Sequence, residues 1–500
     1  MWILDDLKNM KDCNRIAVIH REQSISFCNL WKYSEILANW MNVNLKTKNP
    51  VIIYGNKDID IIVIMIAALK TGRPYVPVDI TFPVERLHKI AEMTDAEVIF
   101  NFSSIYLPYD KHKVIDVEQI NSIKKEKFVD MTDENHWVKS NDICYILFTS
   151  GSTGEPKGVQ ITKKNITNFV NWFGNTCDLS EKAVVLNQIS YSFDVSVIQI
   201  YIYLAKGYTL FNIDKGMIED LNELFRYLKG SNVASWISTP AFIEICTADN
   251  SFNKCLLPNL KKVILAGEVL TKTLVNTLYE KFPEIEVYNG YGPTECTVLL
   301  SFCRINEEMM CSSKNLPIGH IISDANYWIE DKEGNMVSEG ESGELVVVSD
   351  SVSKGYYNNK EITERVFFIK DNRNGYRTGD IVYVCDSLLY YCGRKDSQIK
   401  LNGYRIELND ISNNLNKLDC IKSSVVLPVK IDERVAYIVA FVALNYELGL
   451  SHVKTTIFIK KQLKDLIPSY MVPRKIVVIE DFPLNTNGKI DRKKLLETYL

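Results

Sequence analysis

The chain has 500 residues, with 58 Lys and Arg against 62 Asp and Glu, a formal net charge of −4. That length exceeds one compact core and predicts two to four domains. The near-neutral balance excludes the basic footprint of a nucleic-acid binder or of a protein held to anionic lipid by charge, and the 46% hydrophobic share is that of a soluble globular protein.

The first eight residues carry Asp5 and Asp6 and lack the basic-then-apolar pattern of a signal peptide. Short apolar, β-branched runs begin at 51–54 and recur at 97–100, 262–265 and 286–288, each ahead of a turn signal and separated by helical patterns. This predicts an α/β fold, a large N-terminal domain of parallel strands with helices between them. The apolar run at 61–69 is far too short to span a bilayer. Runs at 343–348 and 381–384 lie close to turns and predict a smaller β-rich subdomain. Strand-like runs at 424–426 and 437–442 precede a helix whose apolar positions Ile459, Leu463, Leu466 and Ile467 recur at three and four, stopping before Pro468. These predict a small, mobile α+β C-terminal domain. The polar stretch Gly393, Arg394, Lys395, Asp396, Ser397 suits a hinge, so the expected division is 1–393, a hinge at 394–397, and 398–500. Twelve scattered cysteines form no CxxC pair and no zinc spacing, which predicts a reduced, cytoplasmic protein.

The densest chemical signal lies at 145–158. An apolar run meets Thr149, Ser150, Gly151, Ser152, Thr153 and Gly154, followed by Lys157 and Gly158. Small hydroxyl residues and glycines let backbone N–H groups approach a polyphosphate, and Lys157 adds a point charge. It is not a Walker A loop, which ends in Gly-Lys-Ser/Thr; here Pro156 precedes the lysine and Gly158 follows it.

This segment resembles the phosphate loop of the adenylate-forming superfamily, which includes acyl-CoA synthetases, luciferases and peptide-synthetase adenylation domains. Four more motifs follow in that superfamily's order. Gly290, Tyr291, Gly292, Pro293, Thr294 and Glu295 resemble its nucleotide motif; Tyr376 to Asp380, its ribose motif; Gly393 to Asp396 with 399–407, its hinge segment; and 487–491, with Lys489, its C-terminal lysine motif. The resemblance implies that Thr149 to Lys157 wrap the β- and γ-phosphates of ATP, and that Gly267, Asn289, Gly290 and Gly292 border the nucleotide. Tyr291 would stack on adenine, and Thr294 would contact phosphate. Glu295 would hold Mg²⁺, which takes one or two carboxylates plus phosphate and water. Asp380 would accept from both ribose hydroxyls and Arg394 would touch the ribose. Lys489 would bridge the substrate carboxylate and the α-phosphate, and Asp396 would be the pivot. Lys489, Glu295 and Thr149 are the expected catalytic residues. Attack by a carboxylate on an α-phosphorus joins two anions, so positioning and charge neutralisation dominate the chemistry. Taken singly, Asp380 reads as a turn aspartate, Lys489 as a surface lysine and Glu295 as a helix first-turn acid. Their order along one chain is what gives them meaning.

Asp194 narrows the substrate. It lies in an otherwise apolar stretch with Val195, Val197 and Ile198, and a buried carboxylate needs a partner. A helix N-cap is the plain reading. In superfamily members that activate amino acids, the aspartate of Phe-Asp-x-Ser binds the α-ammonium, and acyl-CoA synthetases and luciferases normally lack it. The strongest likeness is to the D-alanine–carrier protein ligases of teichoic-acid modification and to stand-alone peptide-synthetase adenylation domains. It includes 76–79, 187–188, 238–242, 256–258, 267–270 and 400–404.

Two positions depart from the D-alanine ligases: Ala266 stands where they carry cysteine, and Gly290 where they carry threonine. The implied pocket is Val195, Ile198, Ile237, Ile264, Ala266, Gly290, Val298 and Leu299, apolar and without a second charge. Both departures remove volume, and unfilled volume forfeits roughly 0.8 kcal/mol per CH₂. A larger apolar or aromatic amino acid, in a peptide natural-product pathway, is therefore expected to compete with D-alanine. An acyl- or aryl-acid CoA ligase is disfavoured by Asp194, and a non-catalytic binding module by the presence of Lys489, Glu295 and Asp380. The expected partners are ATP, Mg²⁺, an amino acid and a carrier protein bearing phosphopantetheine. No tightly bound organic cofactor, nucleic acid or integral membrane segment is expected, and the chain is expected to act as a monomer.

Overall fold

The computed structural model describes residues 2–107, 112–126, 131–151, 155–180, 182–431, 434–483 and 490–499. Contacts divide the chain into two units. The first holds Met1–Ile80, Ala91–Phe148 and Gly158–Lys395; the second holds Thr81–Ile90, Thr149–Lys157 and Asp396–Leu500. Both are mixed α/β, as the alternating runs predict.

In the first unit a nine-stranded sheet runs, in spatial order, from His320–Ile321 through Ser301–Arg304, Glu286–Tyr291, Lys262–Ala266, Val233–Ser238, Val184–Asn187, Thr209–Asn212 and Ile16–His20 to Gln23–Ser26. Its interior pairs are parallel and its ends antiparallel. A six-stranded sheet contains Val51–Gly55 beside Tyr75–Asp79, and all ten residues of these two strands are buried. Continuous apolar burial is what a parallel strand covered on both faces requires. The apolar run at 61–69 forms the helix Ile59–Lys70, buried throughout from Ile61 to Lys70. Lys70 there meets Glu35 at 2.8 Å. It is a core helix; among the described residues no helix is long and apolar enough to cross a membrane. All twelve cysteines are free thiols.

The β-rich part is an antiparallel sheet built around one 13-residue strand, Arg373–Cys385. Only its last apolar stretch was readable as a strand. Its first half is polar because Asn374 and Arg377 face partners rather than oil.

The second unit packs the hairpin Gln398–Leu401 and Tyr404–Glu407 and the three strands Ile421–Ile431, Arg434–Leu444 and Lys475–Val478 with the helices Leu408–Leu415 and His452–Lys464. Ile406, Ile411, Leu415, Ile459, Leu463 and Ile467 share its core. The helix His452–Lys464 ends earlier than its apolar spacing predicts. It stops at Lys464, and the N–H groups of Leu466 and Ile467 both turn back to Leu463 O. The residue before a proline is disfavoured in the helical region, and Pro468 imposes that on Ile467.

Candidate active site

Asp380 and Arg394 face each other on adjacent antiparallel strands. Arg394 Nη1 donates to Asp380 Oδ1 at 2.8 Å and to Thr378 O at 3.2 Å. Tyr291, at the end of Glu286–Tyr291, donates its hydroxyl to Asp380 Oδ2 at 2.6 Å. Asp380 is only 2% exposed. Burial, and then the charge of Asp380, push the Tyr291 phenol well above its ordinary range, so it remains a donor. A carboxylate offers about four lone-pair sites. One cation and one phenol orient Asp380 and leave acceptor capacity for two further hydroxyls.

Glu295 lies in the short turn Thr294–Cys296, fully buried, with Thr294 half-buried beside it. Its Oε1 accepts from Tyr356 Oη at 2.7 Å, and its carbonyl accepts from Ser353 N at 2.8 Å. The chain then passes through two consecutive left-handed residues, Thr297 at φ 57° and Val298 at φ 74°. For a β-branched residue this is strained, at a cost of order 1–3 kcal/mol. Thr297 Oγ1, donating to Ser351 O at 2.7 Å, holds the turn. Gly292 is what lets it close: a Cβ there would stand 2.6 Å from Val298 O.

The same turn delivers Val298 and Leu299 to a buried apolar cluster. They join Ile198, Ile237, Ile264 and Ala266 in one core, with Val195 packed against it. A Cβ at Gly290 would meet Leu299 Cδ2 at 3.0 Å and Ala266 Cβ at 3.7 Å. The looseness expected at Gly290 is therefore not there, because the isobutyl group of Leu299 occupies that space. Gly267, at φ 93°, follows Ala266, and Asn289 donates its amide to Pro317 O at 2.8 Å.

Asp194 sits half-buried in the turn between Val184–Asn187 and the helical segment beginning at Ser196. It is not the helix N-cap; Val195 is, without a side-chain cap bond. Burial first, then Tyr75 and Asp194, raise the Tyr145 hydroxyl well above its ordinary range, so the Asp194 charge reaches the core.

The segment Thr149–Lys157, expected to be the phosphate loop, falls in the second unit. Ser150 Oγ donates to Arg405 O at 3.0 Å and accepts from Glu407 N at 3.2 Å. Lys157 Nζ stands 4.0 Å from Glu407 Oε1, which also accepts from Gln398 Nε2 at 2.6 Å. Gly151 is obligatory, since a Cβ would lie 2.0 Å from Glu155 O. Thr149 Oγ1 reaches Lys157 O at 3.5 Å. Asp396 belongs to this unit and accepts from Gln398 N at 3.1 Å. Ser152, Thr153, Gly154 and Lys489 lie outside the described residues.

The structure thus groups Tyr291, Asp380 and Arg394, and separately Ala266, Gly290 and Leu299, within the first unit. Sequence reasoning missed Tyr356. Its one signal is Gly355 before it, at φ 101°, which marks a fixed turn.

Residues 7–357 match the family model described as AMP-binding enzyme, and 410–489 match the AMP-binding enzyme C-terminal domain. A D-alanine–D-alanyl carrier protein ligase of Bacillus thuringiensis (strain Al Hakam) is 37% identical over 484 residues, 97% of this chain and 96% of that protein. Among solved structures, a Vibrio cholerae adenylation domain, AlmE, in complex with glycyl-adenosine-5'-phosphate superposes with a TM-score of 0.81 at 21% identity, covering 99% of this chain and 97% of that one. The holo form of PA1221, a peptide-synthetase protein containing adenylation and carrier domains, gives 0.83 at 22% identity, covering 99% and 84%.

Proposed function

This chain belongs to the AMP-binding enzyme family, the adenylate-forming superfamily of ATP-dependent ligases, and within it we propose that it activates an amino acid as its adenylate and passes the acyl group to the phosphopantetheine thiol of a carrier protein. The observation that carries the reading is the placement of Asp194. It immediately precedes Val195, which packs on the core holding Ile237, Ile264, Ala266 and Leu299. A carboxylate beside an apolar cluster is what an α-ammonium with a small apolar side chain needs.

In the first half-reaction the substrate carboxylate attacks the α-phosphorus and pyrophosphate leaves. Asp380 accepts from the ribose hydroxyls, steadied by Arg394 and Tyr291. The loop from Thr149 to Lys157 takes the β- and γ-phosphates, and Lys489 neutralises charge between the reacting groups. Glu295 offers one hard oxygen donor, which suits Mg²⁺ completing its shell from phosphate and water; the ion would supply positive charge to the leaving pyrophosphate. In the second half-reaction the carrier thiolate attacks the acyl carbon and AMP leaves. A body of 1–393, a hinge within 394–397 and a mobile 398–500 provide the change of pose between the two. Lys395 N donates to Gly379 O at 3.0 Å and its Nζ to Glu344 Oε1 at 2.6 Å, which supports a pivot that starts at Asp396. The compartment that supplies ATP and a reduced carrier thiol is the cytoplasm.

D-alanine is the amino acid the reading favours, supported by the full-length likeness to ligases named for it and by Leu299 filling the space over Gly290. A larger apolar amino acid is the second reading, favoured by Ala266. Amino-acid-dependent ATP–pyrophosphate exchange across all L- and D-amino acids, with Lys489→Ala as control, separates them. A sharp D-alanine maximum supports the first, and a maximum at a larger side chain the second. Exchange driven equally by acids lacking an amine would sink both.

A further inference from the structure

The turn that carries Asp194 has no strand ladder of its own. Between Val184–Asn187 and Ser196 the backbone makes local turn bonds, Phe193 N to Ser190 O at 3.0 Å and Ser196 N to Phe193 O at 3.1 Å, and side chains tie it to the rest of the fold. The principal holder is a lysine outside every motif. Lys57, between Val51–Gly55 and the helix Ile59–Lys70, is 1% exposed. Its Nζ donates to Ile189 O at 2.5 Å and to Asn187 Oδ1 at 2.8 Å, and lies 3.9 Å from the centre of the Tyr191 ring. One amine therefore fixes three of the five residues from 187 to 191.

A closed ring of hydrogen bonds backs it. Asn187 Nδ2 donates to Tyr191 Oη at 2.9 Å and to Asn212 Oδ1 at 2.8 Å, and Asn212 Nδ2 returns to Lys57 O at 2.7 Å. Ser190 Oγ bonds Asp79, and Ser192 Oγ donates to Pro77 O at 3.1 Å, tying the next residues to a neighbouring strand. Burial lowers the Lys57 pKa well below the ordinary lysine range, with Asp79 opposing that shift. A buried amine held by neutral acceptors is costly for a fold that could have used a methionine there. The geometry of the turn is what it secures.

We propose that Lys57 is a positioning residue for the amino-acid substrate: by gripping 187–191 it sets where the Asp194 carboxylate stands. This rests on the reading that Asp194 receives the substrate ammonium. Asp194 lies three residues beyond Tyr191, so a loosened grip displaces it and leaves the Asp380 and Glu295 sites in place.

The test is pyrophosphate exchange by the full-length chain carrying Lys57→Met, Lys57→Arg or Tyr191→Leu, with D-alanine as the varied substrate, or whichever amino acid the wild type prefers. Lys57→Met and Tyr191→Leu are expected to raise the amino-acid KM about tenfold or more while the ATP KM stays within about twofold. Lys57→Arg, which keeps the donors, is expected to recover part of the loss. Should Lys57→Met fail to fold, Tyr191→Leu decides by the same criterion. Equal rises in both KM values, or an unchanged amino-acid KM in a folded variant, would overturn the proposal. Asp194→Ala separates the two ideas. If it leaves the amino-acid KM unchanged, the ammonium reading falls. If it raises that KM and the Lys57 variants do not, only the positioning role falls.

Discussion

Tyr356 donates its phenolic proton to Glu295 Oε1 at 2.7 Å, across 61 residues of sequence and with both side chains buried. A buried acceptor that loses its donor costs about 1–3 kcal/mol. Tyr356→Phe should remove one of the bonds that orient Glu295, and, on the proposed reading that Glu295 holds the metal, the Mg²⁺ concentration giving half-maximal pyrophosphate exchange should rise about tenfold, equivalent to ~1.4 kcal/mol. A magnesium titration at saturating amino acid reads this directly. An unchanged midpoint would mean that the Tyr356 bond to Glu295 has no part in metal use.

Leu299 fills the room that Gly290 leaves. Leu299→Ala should reopen it, lowering stability by about 2–5 kcal/mol as a core truncation and moving the exchange maximum toward larger apolar amino acids. The competing result, an exchange profile of unaltered shape on a destabilised protein, would mean that Leu299 packs the core without bordering the substrate.

The Asp380–Arg394 pair is buried on both sides, with side chains 2% and 8% exposed. Removing one partner of such a pair typically costs about 3–5 kcal/mol, because the other charge is left uncompensated. Arg394→Met is expected to raise the ATP KM by at least about tenfold and to leave the amino-acid KM near its wild-type value. Parallel loss of both would point to unfolding of the sheet around Arg373–Cys385, which circular dichroism would reveal.

Burial raises the Glu407 carboxyl above 4.5, with Lys157 and Arg405 opposing. Between the unfolded and folded pKa values the native state holds more protons than the unfolded chain, so this group's contribution to stability grows as pH falls through that window and is lost as pH rises through the folded pKa. The melting temperature of wild type relative to Glu407→Gln should therefore increase as pH is lowered from about 7 towards 5. The opposite slope would show Glu407 to be held as an ion by Lys157.

Much of this was legible in the residues. Parallel strands announce themselves as unbroken apolar runs, and the site motifs as small, polar, glycine-rich turns. What stayed hidden is pairing at a distance. Nothing near Lys57 marks it as the amine under Ile189, because its meaning lies in the meeting of two sheets, the six-stranded one that ends a strand at Gly55 and the nine-stranded one that ends a strand at Asn187. Gly290 and Ala266 read as lost volume, because a sequence shows what a position lacks and not which neighbour leans into it. The helix ending at Lys464 looked one turn longer, since Leu466 and Ile467 pack on the core from beyond the helix end and keep the helical spacing by accident.

Arg394 stands opposite Asp380, and Lys395 N bonds Gly379 O, so the chain departs from its first unit at the very rung of sheet that holds Asp380. A rotor needs a fixed bearing, and on the proposed reading this bearing would double as a nucleotide seat. On the proposed reading, AMP resting on Asp380 stiffens the mount while the acyl-adenylate waits, and its departure slackens the mount once the product has gone. Timing of the swing then needs no long relay through the protein: a single rung couples occupancy to motion.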